Sequence, residues 1–131
     1  MQLDHVGIAV QDLRPAIERW QRILGAPARP PEEVASNRVR VIFFDAGTSH
    51  VELLEPLGPD SPIARFLQQR GEGIHHIAFQ VPSVDRTLAD LVARGEPVVD
   101  RVGRAGARGR RVGFAHPRAF GGVLVEFVAV P

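Results

Sequence analysis

Residues 3–10, Leu3-Asp4-His5-Val6-Gly7-Ile8-Ala9-Val10, alternate in polarity and are rich in β-formers, which predicts a strand. Gln11-Asp12 ends it, and the Asp12 side chain can cap a helix. Leu13, Ala16, Ile17, Trp20, Ile23 and Leu24 then recur at three-to-four spacing, predicting an amphipathic helix over 13–24. Pro15 falls in its first turn, where a missing N–H is harmless, and Gly25 supplies the stop. Residues 26–37, rich in Pro and Glu, predict a loop with a short, poor strand. Residues 38–45 and 48–56 read as strands joined by a tight turn near Ala46-Gly47.

The pattern then repeats. Ser61-Pro62 opens a short helix with Ile63, Phe66 and Leu67 on its apolar side, and Gly71-Glu72-Gly73 leads out of it. A strand over 74–81 and a helix starting at Pro82-Ser83 follow. Val84, Leu88, Leu91 and Val92 form the stripe of that helix, which ends at Gly95. Residues 97–101 predict a strand, 102–109 a Gly/Arg loop, and 110–115 and 122–128 two strands around a turn at 116–121. Val10 matches Val81 and Leu13 matches Val84 at one offset of 71 residues. The order is βαβββ, linking helix, βαβββ: a duplication, far short of a solenoid array. The expected fold class is α+β, a single domain over 1–131. Module 1 covers 1–57, a linker helix 58–73 and module 2 74–131. The two modules form a curved mixed, mostly antiparallel sheet around the candidate site, with helices outside.

Composition narrows the chemistry. Hydrophobic content of 44% and charged content of 24% are ordinary for a soluble globular chain. No Cys is present, which excludes disulfides, thiolate metal sites and a cysteine nucleophile. All 16 basic residues are Arg, so Schiff-base chemistry is excluded except at the N-terminal amine. A net charge of +1, with no aromatic residues interleaved among the basic ones, argues against nucleic acid. No apolar run approaches the roughly 20 residues that span a bilayer, so no membrane partner is expected. The start lacks a basic segment followed by an apolar core, so no signal peptide is read, and a cytoplasmic location follows by default.

Each half carries one His near its start and one Glu near its end. His5 and His76 are 71 residues apart, Glu52 and Glu126 are 74 apart. On a strand, His5 shares a face with Gly7 and Ala9, and His76 with Ala78 and Gln80; small neighbours leave room above the sheet. Glu126 shares its face with Leu124 and Val128, where a carboxylate is costly to bury unless paired or metal-bound. Two imidazoles and two carboxylates brought together by a duplicated unit suit a divalent transition metal. Of His75 and His76 only one can share the site's face, and the repeat offset selects His76.

These residues resemble the vicinal oxygen chelate superfamily, and within it the methylmalonyl-CoA epimerases. The resemblance spans nearly the whole chain. It rests on residues 3–10, Val51-Glu52-Leu53-Leu54-Glu55-Pro56, Asp60-Ser61-Pro62-Ile63-Ala64-Arg65-Phe66-Leu67, Gly73-Ile74-His75-His76-Ile77, Phe114-Ala115-His116-Pro117 and Gly121-Gly122-Val123-Leu124-Val125-Glu126. It implies that His5, Glu52, His76 and Glu126 hold a divalent ion (cobalt, manganese, magnesium, zinc, nickel or iron), that the substrate is an acyl-CoA, and that the protein is a homodimer.

The implied reaction removes a proton between two carbonyls while a metal stabilises the enolate. Inversion then needs acid/base groups on both faces. Glu126 is the candidate for one. Some epimerases place a second Glu near residues 36–42, where this chain has none. His50, two residues before Glu52 on its face, is the candidate replacement. Guanidinium groups suit phosphates, which makes Arg104, Arg108, Arg110 and Arg111 candidates for the coenzyme. A glyoxalase-type lyase or isomerase, an iron dioxygenase and a metal-free drug-binding protein are the alternatives on the same scaffold.

Overall fold

A computed structural model describes residues 1–131. Its elements run β1 (Leu3–Ala9), α1 (Leu13–Leu24), β2 (Glu32–Val34), β3 (Val39–Ala46), β4 (Ser49–Pro56), α2 (Pro62–Arg70), β5 (Gly73–Val81), α3 (Val84–Ala93), β6 (Arg104–Ala105), β7 (Arg111–Ala115) and β8 (Val125–Ala129), with short 3-10 turns at Ala35–Asn37, Ala107–Gly109 and Pro117–Phe120. The expected duplication is therefore realised as β1-α1-β2-β3-β4 and β5-α3-β6-β7-β8. Contacts divide the chain into two compact units, His5–His75 and Met1–Asp4 with His76–Pro131. The boundaries fall inside β1 and inside β5, each immediately before one of the two candidate histidines.

In the first unit the strand order is β2-β3-β4-β1. β4 runs parallel to β1, while β2, β3 and β4 pair antiparallel. The helix α1 starts where expected: the Asp12 carboxylate accepts the Arg14 N–H at 3.0 Å, and Gly25 closes the helix in the left-handed region at φ 67°. Its Leu13 and Ala16 pack with Val10, Ile42, Phe44 and Leu53 into the core on one face of the sheet, and Trp20 lies half-buried against them. Ile23, read as part of the apolar stripe, is instead exposed; Leu24, one position on, takes the place against the core. The Glu55 carboxylate accepts the Leu13 N–H at 2.7 Å, which satisfies a first-turn donor and fastens α1 to β4.

The second unit repeats this with strand order β5-β8-β7-β6, β8 parallel to β5 and the rest antiparallel. Ser83 Oγ accepts the Arg86 N–H at the start of α3, whose Val84 and Leu88 pack on Val81, Ala115, Val125 and Phe127. Gly113 on β7 faces this helix. A Cβ there would lie 2.7 Å from Leu88 Cδ1 and 3.0 Å from Val84 Cγ1, so the close approach of α3 requires glycine.

One strand is displaced from its expected position. Residues 97–101 make a single bridge, Val98 to Ala115. Pro97 has no N–H to give a ladder. The N–H groups of Val99 and Asp100 both converge on the Phe114 carbonyl, and the Asp100 carboxylate accepts the Phe114 N–H that a strand partner would take. Pairing resumes at Arg104–Ala105, inside the expected loop. No helix is long and apolar enough to cross a membrane.

Candidate metal and acid/base site

Six polar or charged residues are buried: Asp4, His5, Glu52, Ser61, His76 and Glu126. Ser61 caps α2, with Oγ accepting the Ile63 N–H. Four of the other five are the candidate ligands, each between 3% and 6% exposed. Burial of two imidazoles and two carboxylates on sheet faces costs several kcal/mol in stability unless they are mutually satisfied or hold an ion.

In the first unit β1 and β4 are neighbours, and Gly7 stands opposite Glu52 in the register. With only hydrogen beside it, the Glu52 carboxylate reaches His5: Nε2 to Oε1 is 3.3 Å. On the other side of Glu52, Phe43 of β3 is its cross-strand partner, and its ring meets the His5 imidazole edge-on at 5.6 Å between centroids. The second unit repeats the arrangement. Ala78 stands opposite Glu126, His76 Nε2 lies 3.2 Å from Glu126 Oε1, and Phe114 is cross-strand to Glu126 with its ring edge-on to His76 at 5.5 Å.

Phe43 and Phe114 were not singled out from the sequence, although they are separated by the same 71 residues as the two histidines. The larger 74-residue separation of the glutamates also has a structural cause. The connection from β7 to β8 is longer than the β3–β4 hairpin turn and carries the 3-10 turn Pro117–Phe120.

Each pair fits a shared ion. Metal–nitrogen and metal–oxygen bonds of about 2.0–2.2 Å put adjacent ligand atoms about 3 Å apart, close to the 3.2 and 3.3 Å observed. An imidazole nitrogen and a carboxylate oxygen are also the donor types for borderline divalent ions.

His50 lies on the Glu52 face of β4, opposite Asp45 of β3. Its Nε2 is 3.4 Å from Asp45 Oδ1, and its ring meets Phe43 edge-on at 6.2 Å. Arg29 holds that same Asp45 by two bonds of 2.9 and 3.0 Å, and the carboxylate raises the pKa of its guanidinium. His75 is half-buried, with its ring against Phe66 of α2 at 5.0 Å between centroids.

The four arginines read as coenzyme ligands are each engaged by a carboxylate. Arg104 pairs with Asp100 at 3.2 Å, and Arg111 with Asp85 through two bonds of 3.0 Å. Arg108 and Arg110 both reach Asp4, at 2.8 Å each, and Gln80 Nε2 donates to the same carboxylate at 2.9 Å. Asp85 also accepts the Gly103 N–H at 2.6 Å; Arg111 first, then this bond, depress its pKa. Asp4 was not singled out from the sequence because its partners lie 76 to 106 residues along the chain, beyond any local signal.

The family model of the glyoxalase/bleomycin resistance protein/dioxygenase superfamily matches residues 4–114. The chain is 40% identical over 126 residues to the mitochondrial methylmalonyl-CoA epimerase of Homo sapiens, covering 95% of this chain and 72% of that one. It is 39% identical over 137 residues to the ethylmalonyl-CoA/methylmalonyl-CoA epimerase of Cereibacter sphaeroides, covering 98% of each. Among solved structures it is similar to a variant of the Streptomyces coelicolor methylmalonyl-CoA epimerase in complex with 2-nitronate-propionyl-CoA. That similarity has a TM-score of 0.92 at 36% identity and covers 98% of this chain and 94% of the other.

Proposed function

Because this chain belongs to the glyoxalase/bleomycin resistance protein/dioxygenase superfamily, we propose that it is a metal-dependent epimerase interconverting (R)- and (S)-methylmalonyl-CoA. The observation that carries this reading is the pair of matching buried His–Glu couples, one per repeat, in a chain similar to epimerases acting on that substrate. His5, Glu52, His76 and Glu126 would hold the ion. A bound divalent ion supplies Lewis acidity toward the two oxygens flanking the α carbon.

The protein's own groups do the rest. Glu126, buried with Phe114 as its cross-strand partner, takes the α proton on one face. His50, held by Asp45, returns a proton on the other face in place of the glutamate that some relatives carry. Phe43 and Phe114 keep water from the imidazoles they abut. A homodimer belongs to the same proposal, with the exposed Ile23 of α1 and Ile74 of β5 as apolar residues it would cover.

The test is exchange of the α proton of methylmalonyl-CoA in deuterated water, with metal content measured on the same preparation. Incorporation of solvent deuterium with loss of stereochemical purity is expected. A metal-loaded protein that exchanges nothing would overturn the proposal in favour of another enzyme on this scaffold.

A further inference from the structure

We propose that Asp45, pinned by Arg29, is a positioning residue that holds His50 as its Nε2–H tautomer and so sets which ring nitrogen serves the reaction. Only the role of that nitrogen in catalysis rests on the epimerase reading.

The first unit gathers these groups from three segments. His50 of β4 stands in register with His5 of β1 on one side and with Asp45 of β3 on the other. Register partners project from the same face of a sheet, so His50 is set beside the candidate ligand His5. The Phe43 ring meets both imidazoles edge-on, at 5.6 Å for His5 and 6.2 Å for His50 between centroids. Asp45 Oδ1 lies 3.4 Å from His50 Nε2.

Asp45 is itself fixed. Arg29, in the loop before β2, donates Nε to Oδ1 at 2.9 Å and Nη2 to Oδ2 at 3.0 Å. The Arg29 backbone N–H donates to the Phe43 carbonyl at 2.9 Å. A bidentate guanidinium fork holds the plane of a carboxylate as well as its place. An ionised carboxylate only accepts hydrogen bonds, so the ring nitrogen facing it carries the proton and Nδ1 carries the lone pair. In the proposed reaction Nδ1 takes the α proton from one epimer, and the same nitrogen returns a proton to the enolate when that epimer forms. An imidazole in the wrong tautomer would present an N–H where the base is needed.

The second unit does not repeat this device. Phe114, His76 and Glu126 match Phe43, His5 and Glu52, but Leu124 stands two residues before Glu126 where His50 stands before Glu52. His116 follows Phe114 by two residues where Asp45 follows Phe43, and its Nδ1 accepts the Arg118 N–H. The duplication has thus kept the His–Glu couple in both units and the Asp–His pair in one. A couple that ligates an ion is wanted from each unit; a group that works on one face of a planar enolate is wanted once.

Asp45→Ala tests this by two measurements. The first is nitrogen-15 NMR of the full-length protein labelled at histidine, in mildly alkaline buffer where imidazoles are neutral. The His50 signals are identified by their loss in His50→Gln. The wild type should show His50 protonated at Nε2, and Asp45→Ala the mixed tautomers of a free imidazole. A mixed His50 in the wild type, or no change in the variant, overturns the inference. The second is deuterium wash-in started separately from each epimer of methylmalonyl-CoA. Asp45→Ala should slow wash-in from one epimer by about tenfold or more and leave the other unchanged, giving exchange without inversion. A structural role would slow both in parallel, and that result also overturns the inference. Arg29→Gln should move both measurements the same way, and decides if Asp45→Ala does not fold. Glu33→Gln, which removes the carboxylate from the surface pair with Arg40, should change neither. Wild type that exchanges neither epimer sinks the epimerase reading, and the NMR still decides the tautomer. Normal exchange of both epimers by Asp45→Ala sinks this inference alone.

Discussion

Glu126 and Glu52 sit in matching environments, yet the proposed chemistry assigns proton transfer only to Glu126. Gln in its place keeps the shape and an oxygen donor but cannot accept a proton. Glu126→Gln should therefore lower α-proton exchange by about 10²–10⁴-fold even at saturating metal. Glu52→Gln, which alters a ligand alone, should weaken metal binding more than it lowers exchange at saturating metal. Exchange by Glu126→Gln at the wild-type rate would remove Glu126 from the acid/base role. All four candidate ligands were legible in the sequence because two periodicities coincide: strand alternation puts each on one face, and the repeat puts each in matched register. Phe43 and Phe114 were within reach of the same offset, but an aromatic residue on a strand reads first as core. The arginines were legible as a cluster and not as partners. Which of Asp4, Asp85 or Asp100 answers each one is fixed by strand order, not by spacing along the chain.

At the level of elements, the helices were the most readable parts. Asp12, Ser61 and Ser83 all cap as their positions predict. The third strand of the second repeat was misplaced because its ladder is set by the Asp100 side chain and the converging N–H groups around Phe114, contacts made only after folding. The packing of α3 on β7 gives a sharp test. Gly113→Ala drives a Cβ to 2.7 Å from Leu88, so overpacking should cost about 1–3 kcal/mol, read as a lower denaturation midpoint with an unchanged m value. The segment around Gly103 gives another. Asp85 has a depressed pKa in the folded protein, so its stabilising bonds to Arg111 and Gly103 are complete above the ordinary carboxylate range near 3.8 and are lost as pH falls below it. Thermal melts of wild type and Asp85→Asn should differ at neutral pH and converge in acid. A gap between the two curves that does not change with pH would deny Asp85 this role. The effect is small, since the pair lies at the surface.

For the molecule as a whole, duplication has given each unit one buried His–Glu couple, so under the proposed four-ligand reading neither unit alone would hold the complete set. The proposed ion would then bind only where both units are folded, and the unfolded chain would hold it poorly. Binding of that kind stabilises the native state by mass action, by about 2.7 kcal/mol at a free-ion concentration of about 100 Kd. Chelation should accordingly lower Tm by several degrees, and adding back the ion that restores α-proton exchange should restore it. The double variant His5→Ala/His76→Ala separates this from a general effect of the chelator. It has lost one ligand from each unit, so its Tm should be the same with and without metal. A double variant that still responds to chelation would place the stabilising ion elsewhere. The two His–Glu couples would then be buried polar pairs of the fold.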